Sequence, residues 1–302
     1  MNEDENSASG ADAAVVEETF GLLGNRTRAN ILKTLGDARA DDEAPPILSF
    51  SELRARVSDD INSSQFNYHL QQLVDRFVEH TGNGYRMRPE GMLLYRTINA
   101  GTFTDEGSLS PFEIGVDCYR CAGAIEGSYD ASLFELECDD CGTFYDMVFA
   151  PPGTVVDGET AALLDRLDQY SRHRRLAFVR GVCPTCMNGL EPEVVAVDEP
   201  PFDEAHLVDR YVHWTCDRCG DRMYVTVGMA MVQHPAVISF FHDHGVNIAE
   251  RRLWELEFAM TDRYATVRST DPWTVALEIP CADEVLELVV DDRLTVLERT
   301  RR

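Results

Sequence analysis

The chain has 302 residues, 44% of them hydrophobic, enough to bury sizeable cores in two or three domains and to exclude global disorder. Its 53 acidic residues face 27 basic ones, of which only Lys33 is a lysine, and the formal net charge is −26. No apolar run approaches the roughly 18 residues that span a bilayer. The N-terminus also lacks the basic start and apolar middle of a signal peptide, so the expected location is the cytoplasm.

Residues 1–14 are polar and acidic and read as a disordered tail. "FGLLGNRTRANILKTLGD" has Ile31, Leu32 and Leu35 on one helical face, with Gly36 placed to end the helix. Gly36 to Pro46, "GDARADDEAPP", reads as a solvated loop. In "ILSFSELRARVS" a short strand precedes a helix, and Ser49 with Glu52 three residues on forms a capping box.

"INSSQFNYHLQQLVDRF" repeats the device with Asn62 and Gln65. Phe66, Leu70, Leu73, Val74 and Phe77 make one apolar stripe on this helix. The opposite face carries Ser64, Gln65, Tyr68 and Gln71, with Ser63 and Asn67 at its flank, small uncharged groups that suit base edges in a major groove. "FVEHTGNGYRM" then reads as a hairpin whose Gly82-Asn83-Gly84 turn supplies positive backbone angles. Arg86 and Arg88 are within reach of phosphates there, and Arg54 of the preceding helix completes the candidate DNA contacts. From Ser49 to Ala100 six acids meet six arginines, so this segment is near neutral although the chain is not. At high salt little affinity comes from counterion release, and binding to double-stranded DNA would rest on base contacts and shape.

Eight of the nine cysteines form four CxxC pairs from Cys118 onward, after a Gly-, Ser- and Pro-bearing linker, "TFTDEGSLSPF". Cys118/Cys121 with Cys138/Cys141, and Cys183/Cys186 with Cys216/Cys219, give two four-thiolate sets suited to two structural Zn²⁺ ions. Gly142 and Gly220 follow the second pair of each set, where a knuckle needs room for N–H groups to face sulfur. Iron fits the same shell, and the pairs can also exchange partners between sets. A four-thiolate shell is closed, so no catalytic role is implied, and no nucleophile–base set stands out elsewhere. Cys281 reads as a small buried residue.

"CDDCG" and "CDRCG" lie 78 residues apart, each followed by a β-like run, a helical stretch and "RRL", which suggests two copies of one unit. "RHRR" (172–175) is the one basic patch in this half, better suited to neutralising nearby carboxylates than to touching phosphates. His242-Asp243-His244 places its histidines on different sides of a helix, a poor metal pair. The tail alternates apolar and polar residues and reads as strands, "PWTVALEIP" a core strand among them, with Asp291-Asp292 as a hairpin turn.

The residues "LLGNRTRANILKTL" and "SSQFNYHLQQLVDRFVE" resemble ArsR-type regulators over about residues 15–100. The lysine-poor acidity resembles that of haloarchaeal proteins, whose carboxylate surfaces stay hydrated where molar salt screens repulsion. The resemblance implies a transcriptional regulator whose polar helix enters the major groove and a homodimer formed through "AAVVEETFGLL" and "GMLLYRTINAGTF". The cysteine pair that ArsR metal sensors carry on the helix before the recognition helix is missing from "SELRARVS", so their sensing mechanism is not implied. Winged helix followed by zinc ribbon is also similar to the archaeal general factor E, which makes RNA polymerase or another transcription protein the alternative partner. The expected fold is α+β: an N-terminal winged helix-turn-helix (15–105), then two β-rich zinc-ribbon units (112–180 and 181–302), the second with a terminal β-hairpin region.

Overall fold

The computed structural model describes residues 17–41, 46–57, 61–103, 107–155, 160–196 and 210–302. The expected acidic tail, 1–14, lies outside them. The protein is mixed α and β with several separate sheets, divided into two compact units, Met1–Asp105 and Glu106–Arg302.

In the first unit, helix α1 (residues 17–23) is followed by α2 (Arg26–Asp41), α3 (Phe50–Val57) and α4 (Ser63–Leu73). A two-stranded sheet of β1 (Val78–Thr81) and β2 (Gly84–Met87) and a last helix, α5 (Pro89–Asn99), complete it. Leu48, in the segment read as a short strand, bridges Tyr85 through two backbone hydrogen bonds and so extends the hairpin. Both expected caps form. Ser49 and Glu52 bond reciprocally, Ser49 N–H to the Glu52 carboxylate at 2.8 Å and Glu52 N–H to Ser49 Oγ at 3.3 Å. Asn62 Oδ1 accepts from Gln65 N–H at 2.9 Å. Ile31, Leu35, Leu53, Phe66, Leu70, Leu73 and Val78 are the fully enclosed centre of this core.

Gly36 does not end its helix, and residues 36–41 of the expected loop are helical. The glycine is there for space. A Cβ at Gly36 would stand 2.2 Å from the Tyr95 ring of α5, while the Tyr95 hydroxyl donates to Asp37 at 2.8 Å. Gly36→Ala should therefore destabilise this unit by about 1–3 kcal/mol in denaturant unfolding, the usual cost of overpacking. The same change beside Tyr95→Ala should cost clearly less than the sum of the two single changes. In the hairpin, of the three turn residues only Gly84 has positive φ (145°), and a Cβ on it would meet the Leu48 carbonyl oxygen at 2.3 Å. Close approach of a third backbone, rather than turn type, requires that glycine.

The described residues of the second unit form three sheets. The first has β3 (Leu109–Asp117), β4 (Ala124–Asp130), β5 (Leu133–Cys138) and β6 (Phe144–Phe149) in sequential antiparallel order, covered by α6 (Thr160–Val179). The second has β7 (Glu193–Ala196), β8 (Arg210–Thr215) and β9 (Arg222–Val225), followed by short α7 (Val227–Met231) and α8 (Pro235–Asp243). After α9 (Glu257–Met260) the chain ends in a meander of β10 (Ala265–Thr270), β11 (Trp273–Cys281), β12 (Glu284–Asp291) and β13 (Val296–Arg301). One core joins the second and third sheets through Trp214, Val237, Phe240, Leu277 and Leu288. Another lies between the first sheet and α6, and takes in Trp254 and Met260.

Several expectations shift here. Leu109–Phe112, read as the end of a linker, begins β3, an edge strand that tolerates Pro111. The β-like run after Cys219 turns helical at Val227, because Thr226 Oγ1 accepts from Met229 N–H at 2.8 Å and caps α7. The first "RRL" lies inside α6, while the second begins just before a 3₁₀ turn, Leu253–Glu255. The turn at Asp291-Asp292 is longer than two residues: Asp291 Oδ1 accepts from Arg293 and Thr295 N–H, and Leu294 takes φ 62°. The strand reading of "PWTVALEIP" holds in β11, and Cys281 is buried.

Candidate metal centres and nucleic-acid interface

Four CxxC turns share one local structure. The residue after the second cysteine has positive φ in each: Ala122 (60°), Gly142 (64°), Met187 (61°) and Gly220 (75°). Its N–H donates to the carbonyl of the first cysteine at 2.8–2.9 Å in all four turns. The first cysteine's N–H in turn donates to the residue five further on: Gly123, Thr143, Asn188 and Asp221 respectively. The sequence marked only the two glycines as knuckle positions. Ala122 and Met187 adopt the same angle at some backbone cost, and the equal CxxC spacing is the signal that could have found them.

Strand register assembles the first quartet. The β3–β4 connection holds Cys118 and Cys121, Cys138 ends β5 opposite Ile125 of β4, and Cys141 lies in the turn to β6. In the second quartet one turn follows α6 and the other joins β8 to β9. Each quartet brings its four sulfurs within 4.8 Å of one another. The nearest approaches are Cys121–Cys138 at 3.5 Å, Cys118–Cys141 at 3.7 Å, Cys186–Cys216 at 3.4 Å and Cys183–Cys219 at 3.6 Å. A tetrahedron with metal–sulfur bonds of about 2.3 Å has edges of about 3.8 Å, so the sulfurs stand where ligands of one ion belong. Partners are not exchanged between the sets.

Donors surround the sulfurs. Arg120 N–H reaches Cys118 Sγ at 3.4 Å and Gly123 N–H reaches Cys121 Sγ at 3.4 Å. The Tyr145 hydroxyl donates to Cys118 Sγ at 3.2 Å while accepting from Tyr119 N–H at 2.7 Å. Burial pushes the Cys118 thiol up, but Tyr145 and the N–H groups of Cys121 and Arg120 outweigh it and hold it at about 6. For Cys216 burial again acts upward, and the N–H groups of Cys219 and Arg218 bring it to about 7. In the same sets the Gly123 and Asp221 N–H groups act downward on Cys121 and Cys219, but the neighbouring sulfurs outweigh them and push both up to about 12, so one buried thiol of each set ionises first. In both quartets two sulfurs are buried and one, Cys121 or Cys219, is exposed.

Among the described residues these are the two groups of ligating side chains. The His242/His244 pair joins neither: His244 Nδ1 lies 2.7 Å from the Phe240 carbonyl. The "RHRR" patch is turned inward, with Arg172 on Asp168 at 2.7 Å, Arg174 on Asp221 and Arg175 on Asp146. Asp221 also accepts from Thr185 Oγ1 at 2.7 Å, so Arg174 ties α6 to both turns of the second quartet.

In the first unit the expected reading face of α4 is exposed. Ser63, Ser64, Gln65, Asn67 and Gln71 lie open to solvent, and Tyr68 is 61% exposed. The stripe on the other side is buried at Phe66, Leu70, Leu73 and Phe77, with α4 ending before Val74. The three candidate arginines are engaged within the protein. Arg54 donates twice to the Ile61 carbonyl, at 3.1 and 3.0 Å, tying α3 to the residue that leads into α4. Arg86 pairs with Glu79 at 2.8 Å and Arg88 with Glu90 at 3.3 Å, both at the surface. No helix among the described residues is long and apolar enough to cross a membrane.

A family model described as Domain of unknown function (DUF7347) matches residues 16–98, close to the extent of the first unit. A second, Domain of unknown function (DUF7351), matches residues 115–296 and takes in both cysteine quartets. No curated protein and no solved structure matches the chain. With more than half of its length matched, the chain belongs to the family of the domain of unknown function DUF7351.

Proposed function

We propose that this protein is a sequence-specific DNA-binding transcriptional regulator whose first unit is a winged helix-turn-helix of ArsR type. The observation that carries the reading is the polar, wholly exposed face of α4. It lies on the helix that α3 is tied to through Arg54 and Ile61, directly before a hairpin, in a segment with balanced charge. A major groove accepts such a helix, and Ser, Asn and Gln side chains match the donors and acceptors of base edges. Arg86 and Arg88 are paired at the surface, where an ion pair contributes about 0–1 kcal/mol, so exchange of Glu79 or Glu90 for a phosphate is cheap. Arg54 instead holds Ile61, at the lead into α4.

The cysteine quartets hold two structural Zn²⁺ ions in this reading. Closed four-thiolate shells leave no position for water, and no catalysis is assigned to the protein. Phe20 of α1, Leu93 and Ile98 of α5, and Phe103 are exposed large apolar residues on the segments expected to form a dimer. They favour a homodimer reading two half-sites about one helical turn apart. The same residues also serve the second reading, in which the partner is RNA polymerase or another transcription protein.

The test is binding to DNA upstream of the protein's own coding region in molar KCl, with unrelated competitor. Ser64→Ala with Gln65→Ala should weaken binding by about 1–3 kcal/mol for each base that is no longer hydrogen-bonded, without lowering the unfolding temperature. Unchanged affinity in the double variant would remove α4 as the reading helix. If the native protein shows no saturable binding, the protein-partner reading takes its place.

A further inference from the structure

Asp168, Arg172 and Arg175 lie on α6 at spacings of four and three residues, so they share one face of the helix. Arg172 is 4% exposed and Arg175 7%. Arg172 donates Nε–H to Asp168 at 2.7 Å and Nη2–H to the Arg251 carbonyl, and Arg175 donates Nη2–H to Asp146 of β6. That leaves Arg172 Nη1 and Arg175 Nε and Nη1 buried with no acceptor among the described residues. Both side chains line a cavity with about 10 Å³ of room for the centre of a water-sized sphere. Apart from Gln233 the rest of its wall is apolar, with Leu176, Val179, Met229 and Leu253 among it.

The chemistry of that wall is one-sided. Neither carboxylate lines it. Asp168 Oδ1 accepts from Leu253 N–H at 2.8 Å and Asp146 Oδ1 from Met147 N–H at 2.9 Å, so each carboxylate is also held by a backbone donor. Among the lining side chains only the Gln233 amide is a strong acceptor. A water molecule in such a place can accept from the guanidinium groups but finds few acceptors for its own two protons, and buried waters ordinarily make about three hydrogen bonds. A monatomic anion has no protons to place and accepts N–H groups from several directions. Buried donors without acceptors call for such an occupant.

We propose that the second unit binds a single chloride ion between Arg172 and Arg175. The ion joins three segments: α6, β6 through Asp146, and residues 251–253 through Arg251 and Leu253. It thereby fastens the sheet of the first quartet to the chain that follows α8, and it makes the stability of this unit depend on chloride itself rather than on ionic strength.

The test uses the full-length protein in potassium chloride and in potassium glutamate at matched ionic strength and matched metal content. The unfolding temperature should be higher in chloride and should rise in proportion to the logarithm of its concentration once the site is filled. Arg175→Met should abolish that difference. Should Arg175→Met fail to fold, crystals of the native protein grown with bromide give an independent readout. An anomalous peak within hydrogen-bonding distance of both guanidinium groups supports the site. A water there, bromide only at surface positions (an adventitious ion only), or equal stability in the two salts overturns it.

Discussion

Replacing Cys121 by serine is expected to destabilise the second unit almost as much as replacing its buried neighbour Cys118. Cys121 is exposed, so on packing grounds alone its loss would cost nearly nothing, whereas Cys118 lies in the core beside Tyr145. If the four sulfurs hold an ion, each substitution removes one of four ligands and the ion leaves or binds far more weakly in both cases. The same comparison applies to exposed Cys219 and buried Cys216. Structural zinc contributes about 10–16 kcal/mol of apparent binding energy in small zinc-finger peptides. Here each quartet adjoins a hydrophobic core of its own, so part of the fold should outlast the metal. Hydrogen exchange read by mass spectrometry after chelation should show loss of protection first across β3–β6, whose core is the smaller, and later across β8–β9. The first unit should keep its protection throughout, as its described residues contain no cysteine. An exposed-cysteine variant as stable as the native protein would mean that packing, not metal, holds these turns. Acid should act as chelation does, because protons compete with the cation for the thiolates.

How much of this was legible in the sequence follows from how local each determinant is. The capping box at Ser49, the Asn62 cap and the α4 stripe from Phe66 to Leu73 are decided within one or two helical turns and are found where the spacing placed them, whereas Val74 and Phe77 fall beyond the end of the helix. The quartets were legible because a CxxC turn is a local structure and two of them suffice to name a site. Gly36 misled because its role is tertiary: the ring it accommodates, Tyr95, is 59 positions away in sequence, and local rules saw only a helix stop. Arg54 and Arg86 read as free cations because their partners, the Ile61 carbonyl and Glu79, come close only when α3 meets the lead into α4 and the hairpin pairs, whereas the Arg88 partner, Glu90, is local and was overlooked. The inward use of "RHRR" was legible in kind, from the surplus of acids. That Asp146, Asp168 and Asp221 are the acids was not, since two of the three come from other segments.

Gly228→Ala is expected to be the most damaging single-methyl change in the second unit. Helix α7 crosses α9 so closely that a Cβ on Gly228 would stand 1.8 Å from the Phe258 carbonyl oxygen and 3.1 Å from the Ala259 Cα. Both obstacles are backbone, so no rotamer change relieves them. The two helices are also pinned by the Thr226 hydroxyl, which donates to the Ala259 carbonyl at 2.5 Å, while Phe241 of α8 stacks on Phe258 from the other neighbour. Separating them opens the core that the second and third sheets share. The cost should be about 3 kcal/mol or more, at or beyond the upper end of overpacking. Two other glycines calibrate the scale. Gly245 has open space around it but φ +70°, so Gly245→Ala should cost about 1–2 kcal/mol of backbone strain. Gly189 has open space and an ordinary φ, so Gly189→Ala should be neutral or slightly stabilising. Thermal unfolding of the three variants should therefore rank Gly228 below Gly245 below Gly189. Because α7 follows directly on β9, the Gly228 variant should also release metal from the second quartet at a lower chelator concentration than the native protein does. A Gly228 variant that unfolds like the native protein would show that α7 and α9 separate without cost, and the close crossing would then have no part in holding the quartet's hairpin to its core.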